Sequence, residues 1–217
     1  MFVVYKRVIP PEICDLIIEK GQEKIKQSDE EDTIAATGGS SQKSKKRKIP
    51  VDDLANASDP DNSYIRDTSI TWLDDAWILH LFTPYFDFAN SRDLKLDYDI
   101  TYTEKCQFGQ YLPPKNKDET GQFYGWHKDG GGYYEDGTER KLSLVCSLSC
   151  PTEYEDGELI VDNGAYVPEE ERYTDAKEKM PKGSILVMTS ETYHKVNPIS
   201  SGKRYSLVIW SRGPKFR

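Results

Sequence analysis

Three histidines occur in the 217 residues of this chain, so each can be weighed singly. His127 and Asp129 stand two apart in Gln122-Phe-Tyr-Gly-Trp-His127-Lys-Asp129. On an extended segment, side chains two apart leave the same face, about 6.5 to 7 Å apart along the strand. His194 lies 65 positions after Asp129, beyond the apolar segment Ser184 to Thr189, and a paired antiparallel strand would return it to the same place. Two imidazoles and a carboxylate on one face of an octahedron make the ligand set of a non-haem Fe(II) centre, which leaves three positions for other ligands. Alone, such a triplet arises often by chance. His80 falls in a stretch with helical spacing and reads as structural.

The segment after His194 sharpens the signal. The turn Asn197 to Lys203 leads into Arg204-Tyr-Ser-Leu-Val-Ile-Trp210. Alternation puts Arg204, Ser206, Val208 and Trp210 on one face and Tyr205, Leu207 and Ile209 on the other. If the first set faces an interior, a guanidinium is buried beside the metal, and a buried guanidinium needs an anionic partner. No acid shares that face of the strand, whereas a dicarboxylate ligand would supply one in bidentate geometry. An exposed Arg on an edge strand is the plainer alternative.

These segments, with Gly157-Glu-Leu-Ile-Val161 and Pro181-Lys-Gly-Ser-Ile-Leu-Val-Met188 between them, resemble the Fe(II)/2-oxoglutarate dioxygenases of the prolyl 4-hydroxylase type, especially the bacterial and phage PKHD-type hydroxylases. The resemblance spans about residues 97 to 213 and extends thinly to the N-terminal helix and to Arg66-Asp-Thr-Ser69. It implies a double-stranded β-helix, or jelly-roll, barrel with N-terminal helices packed on one sheet. It implies Fe(II) on His127, Asp129 and His194, and Arg204 against the distal carboxylate of 2-oxoglutarate, with Ser206 adding a hydrogen bond. Tyr111, in Gly109-Gln-Tyr111, matches a family tyrosine that contacts the co-substrate. Tyr124 matches an aromatic of the pocket wall, where Trp126 and Trp210 are also expected. The implied reaction is hydroxylation of a prolyl residue in a peptide or protein, with decarboxylation of 2-oxoglutarate to succinate and CO2 and ascorbate as a reductant. The stretch between Tyr111 and Tyr124, and the Gly-rich turn after Asp129, depart from the family pattern. Loops at a barrel mouth set specificity, so these departures bear on the substrate and not on the metal.

The elements that must position these residues can be read from spacing. Pro11 suits the first turn of a helix running to about Lys26. Asp74 to Phe88 is predicted helical, with Trp77, Leu81 and Tyr85 as its stripe. After Asp97 the period becomes two. Leu142, Leu144, Cys146, Leu148 and Cys150 alternate with polar residues, and further strands fall at 158–162, 184–189 and 204–210. Short strands between Gly and Pro turns argue for an antiparallel sandwich or barrel, mainly β with helices to one side. Residues 1–96 are therefore expected to form a helical support and 97–217 the barrel core of one globular domain. Asn163 to Lys179 reads as a charged surface excursion.

Ser28 to Ser63 has no aromatic residue and carries acidic, Gly/Ser and basic blocks in turn, the composition of a mobile loop. Its basic run, Lys43 to Lys48, resembles a nuclear-import or nucleic-acid tag, but flanking acids favour a solvated linker. With 37 acids against 29 bases the net charge is -8, the wrong sign for a general phosphate-backbone binder. No span is long and apolar enough for a membrane, and the N-terminus turns charged too early for a secretory leader. A cytoplasmic enzyme is expected, nuclear if the basic run acts in import. The four cysteines are scattered and form no CxxC pair, and Cys146 and Cys150, inside an apolar run, read as buried free thiols. Other readings are the same iron chemistry on a free amino acid or on nucleic acid, or a barrel that binds without turnover.

Overall fold

The structure is a computed structural model that describes residues 1–27, 66–131, 134–177 and 180–215. The expected loop Ser28 to Ser63, with its basic run, lies outside the described residues, as do Tyr64 and Ile65. The chain opens with β1 (Phe2–Tyr5), α1 (Pro11–Gln27), β2 (Arg66–Asp67), β3 (Ser69–Leu73) and α2 (Ala76–Asp87). β4 (Tyr102–Thr103), β5 (Cys106–Tyr111), β6 (Phe123–His127), β7 (Thr138–Ser147), β8 (Tyr154–Asp156) and β9 (Leu159–Asp162) come next. Then come a short α3 (Glu169–Arg172), β10 (Tyr173–Asp175), β11 (Ile185–Thr189), β12 (His194–Val196), β13 (Ile199–Gly202) and β14 (Arg204–Pro214).

The strands form a larger antiparallel sheet in the order β1-β11-β7-β14-β5-β3, with β4 also on β14, and a smaller one in the order β10-β9-β12-β6-β2. The two face each other as a double-stranded β-helix, and α1 and α2 cover the outer face of the larger sheet. No helix among the described residues is long and apolar enough to cross a membrane.

Both faces of the larger sheet are covered, so its central strands have no solvent side. Leu142, Leu144, Cys146, Leu207 and Ile209 pack outward under the helices with Ile17, Ile78, Phe82 and Phe86. The polar residues that alternate with them are buried as well, because they face the other sheet. Ser143 Oγ lies 3.0 Å from Ser190 Oγ, and Ser147 Oγ donates to the Ser149 carbonyl at 3.1 Å. Alternation in β7 therefore separates two interiors and not core from solvent.

Several sequence expectations shift or gain detail. The predicted helix 74–88 forms as α2 and continues through a π-helical segment to Asp93, where the Leu94 N–H reaches the Ala89 carbonyl at 2.8 Å. Its buried stripe is Ile78, Phe82 and Phe86, one position on from Trp77, Leu81 and Tyr85, and Trp77 is exposed. His80 is exposed on the same helix and packs into no core. The charged surface excursion 163–179 includes β10, which pairs with β9 and extends the smaller sheet at its edge. Cys14, Cys106 and Cys146 are buried free thiols, but Cys150 is only half-buried.

Candidate iron and co-substrate site

β6 and β12 carry the candidate ligands. They pair antiparallel with His194 directly opposite His127, and the two rings lie 4.1 Å apart. The next registered pair is Val196 with Tyr124, so Gly125 and Trp126 together oppose Lys195 alone. This is a β-bulge, and it changes which side chains point inward. Tyr124 and His127, three apart, share the inner face and stack with centroids 3.4 Å apart and planes 11° apart. Trp126 is turned to the outer surface, where it meets Tyr173 and the ammonium of Lys195. The expectation that Trp126 lines the pocket is thus corrected: as the neighbour of His127 it takes the opposite face by alternation, and the bulge is what returns Tyr124 to the inner face.

Asp129 lies just past the end of β6, where the Gly130 N–H donates to the Ser190 carbonyl at 2.7 Å. Its side chain is 7% exposed. Oδ1 lies 3.7 Å from His127 Nε2, and Oδ2 lies 3.7 Å from His194 Nε2. One ligand atom from each residue fits within 4.8 Å of the others. Both imidazoles are oriented in the same way. His127 Nδ1 donates to the Gly125 carbonyl at 2.8 Å and His194 Nδ1 to the Thr192 carbonyl at 3.0 Å. With Nδ1–H engaged, each Nε2 keeps its lone pair and turns it toward the carboxylate, the tautomer a metal requires.

Electrostatics keep the cluster in its ligating form. Burial, helped by the neighbouring His194, pushes the His127 pKa down to about 3. Burial alone would raise that of Asp129, but the two imidazoles, with the Trp210 N–H and the Ser143 hydroxyl, hold it below the usual carboxylate range. Asp129 Oδ2 is buried without a hydrogen-bond partner. An orphaned carboxylate oxygen flanked by two imidazole lone pairs fits a divalent cation and is costly without one.

The cavity in front of this cluster is walled on its far side by β14 and β5. Arg204, Ser206, Val208 and Trp210 all line it, as alternation predicted, and Tyr205, Leu207 and Ile209 turn outward into the helix-covered core. Arg204 is 5% exposed and its Nη1 has no hydrogen-bond partner. Across the ladder it pairs with Tyr111, whose ring centroid lies 4.9 Å from the guanidinium. Ser206 is opposite Gly109, where the missing side chain leaves room for the hydroxyl. Gly157, at φ 66°, runs against the Arg204 stem. A buried guanidinium with an orphaned Nη1, a phenol ring and a hydroxyl on one wall suits a carboxylate.

Sequence comparison identifies a domain. Residues 106–212 match the 2OG-Fe(II) oxygenase superfamily. These residues form a 2OG-Fe(II) oxygenase domain. The superfamily uses Fe(II) and 2-oxoglutarate, and the donor set and the orphaned guanidinium fit that pair. Among its relatives, a PKHD-type hydroxylase of Stenotrophomonas maltophilia (strain R551-3) is 33% identical over 105 residues, 46% of this chain and 43% of that protein. One from Janthinobacterium sp. (strain Marseille) is 35% identical over 108 residues, again 46% and 43%. The chain thus spans less than half the length of these relatives. In fold it is similar to a Pseudomonas putida prolyl-4-hydroxylase, with TM-score 0.61, 18% identity and coverage of 99% of this chain and 93% of that one. It is also similar to a viral collagen prolyl hydroxylase from Paramecium Bursaria Chlorella virus-1, with TM-score 0.60, 18% identity and coverage of 98% and 96%.

Two residues of the oxygenase cavity carry no signal in the sequence pattern. Arg66, from β2, and Gln107, from β5, are both buried and line it. Arg66 stands next to a long polar stretch and belongs to no spacing pattern. Only its place in the weak similarity at 66–69 could have marked it.

Proposed function

We propose that this chain is an Fe(II)- and 2-oxoglutarate-dependent dioxygenase that hydroxylates a prolyl residue in a peptide or protein. The observation that carries the reading is one cavity that holds both the three-ligand cluster and a buried Arg204 whose Nη1 is unpartnered. His127, Asp129 and His194 hold the metal, and Arg204, Tyr111 and Ser206 hold the distal carboxylate of 2-oxoglutarate. The bound pair supplies the oxidising chemistry, with release of succinate and CO2. The chain supplies geometry and exclusion of water. The Gly125 and Thr192 carbonyls lock the two imidazoles, Arg204 fixes one end of the co-substrate, and Val145, Leu159 and Val196 keep the cavity wall apolar. Tyr124 and Trp210 line the same cavity and form part of its substrate-facing wall in this reading. The prolyl substrate is supported by similarity to prolyl hydroxylases, one of which, from Trichoplax adhaerens, is described in complex with a peptide fragment.

The test is the visible charge-transfer absorption that forms when Fe(II) and 2-oxoglutarate are added without oxygen. Wild type gives the band, Arg204→Ala needs far more 2-oxoglutarate to reach it, and His194→Ala gives none. Proline-containing peptides incubated with oxygen then gain the mass of one oxygen atom. Absence of the band in folded wild-type protein would overturn the reading.

A further inference from the structure

The cavity has a charge that the metal and the co-substrate do not balance. Its lining contains two guanidiniums, Arg66 and Arg204, and one carboxylate, Asp129. An Fe(II) dication and a 2-oxoglutarate dianion cancel each other, so the occupied site keeps one net positive charge. That charge belongs to Arg66, because Arg204 and Asp129 are already committed.

Arg66 is 7% exposed, and its Nε is buried with no hydrogen-bond partner. Its Nη2 donates to Gln107 Oε1 at 2.9 Å, and its guanidinium lies 4.5 Å from the centroid of the Tyr124 ring. Both partners are neutral. Since His127 stacks on one face of Tyr124, the guanidinium takes the other, which places it one ring thickness from the ligand cluster. Asp67, the neighbouring acid, accepts from Gln122 and does not line the cavity. A buried guanidinium held by an amide and a ring, and left without an anion among the described residues, is prepared for one that arrives from outside.

We infer that Arg66 is a specificity-determining residue that binds a carboxylate of the substrate beside the iron. This rests on the oxygenase reading and narrows it. The preferred substrate places an acidic group next to the carbon that reacts, either the side chain of an adjoining Asp or Glu or a free C-terminal carboxylate. An internal proline between neutral residues leaves Arg66 unpaired and binds less well.

The experiment uses the Fe(II)·2-oxoglutarate complex without oxygen and two matched probe pairs. N-acetylproline and its amide test a terminal carboxylate, and N-acetyl-Pro-Glu-amide and N-acetyl-Pro-Gln-amide test a side-chain one. Binding is read from the change in the charge-transfer band and from broadening of probe proton resonances by the iron. In wild type the acid of at least one pair binds about 10- to 100-fold more tightly than its neutral partner, the range of a charge-assisted contact. Which pair shows the difference names the source of the carboxylate. Arg66→Gln removes the preference while 2-oxoglutarate affinity is unchanged. Gln107→Glu keeps Arg66 but supplies an internal anion, and it also removes the preference, which covers the case in which Arg66→Gln does not fold. Equal binding of acid and neutral probes, or a preference that survives both substitutions, overturns the inference. So does loss of 2-oxoglutarate affinity in Arg66→Gln, which would assign Arg66 to the co-substrate. Failure of the oxygenase reading itself looks different, because the wild-type band is then missing before any probe is added.

Discussion

Arg204 holds a charge in a place chosen for a ligand. In the metal-free, co-substrate-free chain its buried Nη1 has nothing to bond, and a buried unpaired charge costs stability. Arg204→Met should therefore raise the thermal stability of the apo protein, by about 1–4 kcal/mol on the precedent of buried charges replaced by apolar residues. The same change should abolish the rise in Tm that 2-oxoglutarate gives wild type. A drop in apo stability would mean that Arg204 is satisfied inside the chain. The His127 imidazole gives a pH dependence with a definite sign. Its folded pKa is about 3 against an ordinary value of 6.5, so between those limits the unfolded chain binds the extra proton. Apo stability is full above pH 6.5 and falls on acidification toward 3, at up to about 1.4 kcal/mol per pH unit from this group. Tm measured from pH 7.5 to 5.0 should fall for wild type and flatten in His127→Gln. His127, Asp129, His194 and Arg204 were legible in the sequence because histidine is scarce here and the basic residue comes at a fixed offset. Arg66 was not, because its role depends on Gln107 and Tyr124, which lie 41 and 58 positions away in the chain.

Helix α1 lies close on β5, and Gly21 marks the point of approach. A Cβ there would fall 2.4 Å from the ring of Phe108, which is fully buried. In an exposed helix interior, Gly→Ala would gain roughly 1 kcal/mol. Here Gly21→Ala should destabilise instead, by about 1–3 kcal/mol, the usual cost of overpacking a core. Chemical denaturation would show it as a lower midpoint at unchanged slope, and a stabilised variant would refute the close packing. The period of α1 and of the main strands was readable from sequence, because each element buries one apolar row. The stripe of α2 was not. Apolar residues are so dense from Trp77 to Phe88 that two adjacent stripes satisfy helical spacing, and only packing against the sheet selects Ile78, Phe82 and Phe86. In β7 the alternation of serines with apolar residues marks no solvent face, because a sheet covered on both sides breaks the polar-out rule.

At the scale of the whole molecule, the candidate ligands come from the smaller sheet and the co-substrate anchor from the larger one. Ligand binding should therefore tie the two sheets together. Addition of Fe(II) and 2-oxoglutarate without oxygen is expected to slow amide exchange in β6, β9 and β12, and in β14 near Arg204, while β1 at the far edge is unchanged. At a hundredfold excess over Kd the linkage is worth about 2.7 kcal/mol, enough to read as a clear rise in Tm. Slowing confined to one sheet would contradict a shared site. The jelly-roll architecture was legible from short strands and turns together with family similarity. The inward and outward assignment at β6 was not, since it turns on the bulge at Gly125 and Trp126. That bulge also governs how this sequence can change in length. Deleting one of these two residues would remove the bulge and leave Tyr124 two before His127, still on the inner face. Deleting both would carry Tyr124 to the outer surface and leave His127 without its stacking partner, although every remaining residue kept its identity. In β6, therefore, a length change of two residues costs more than a change of one, the reverse of what a regular strand allows.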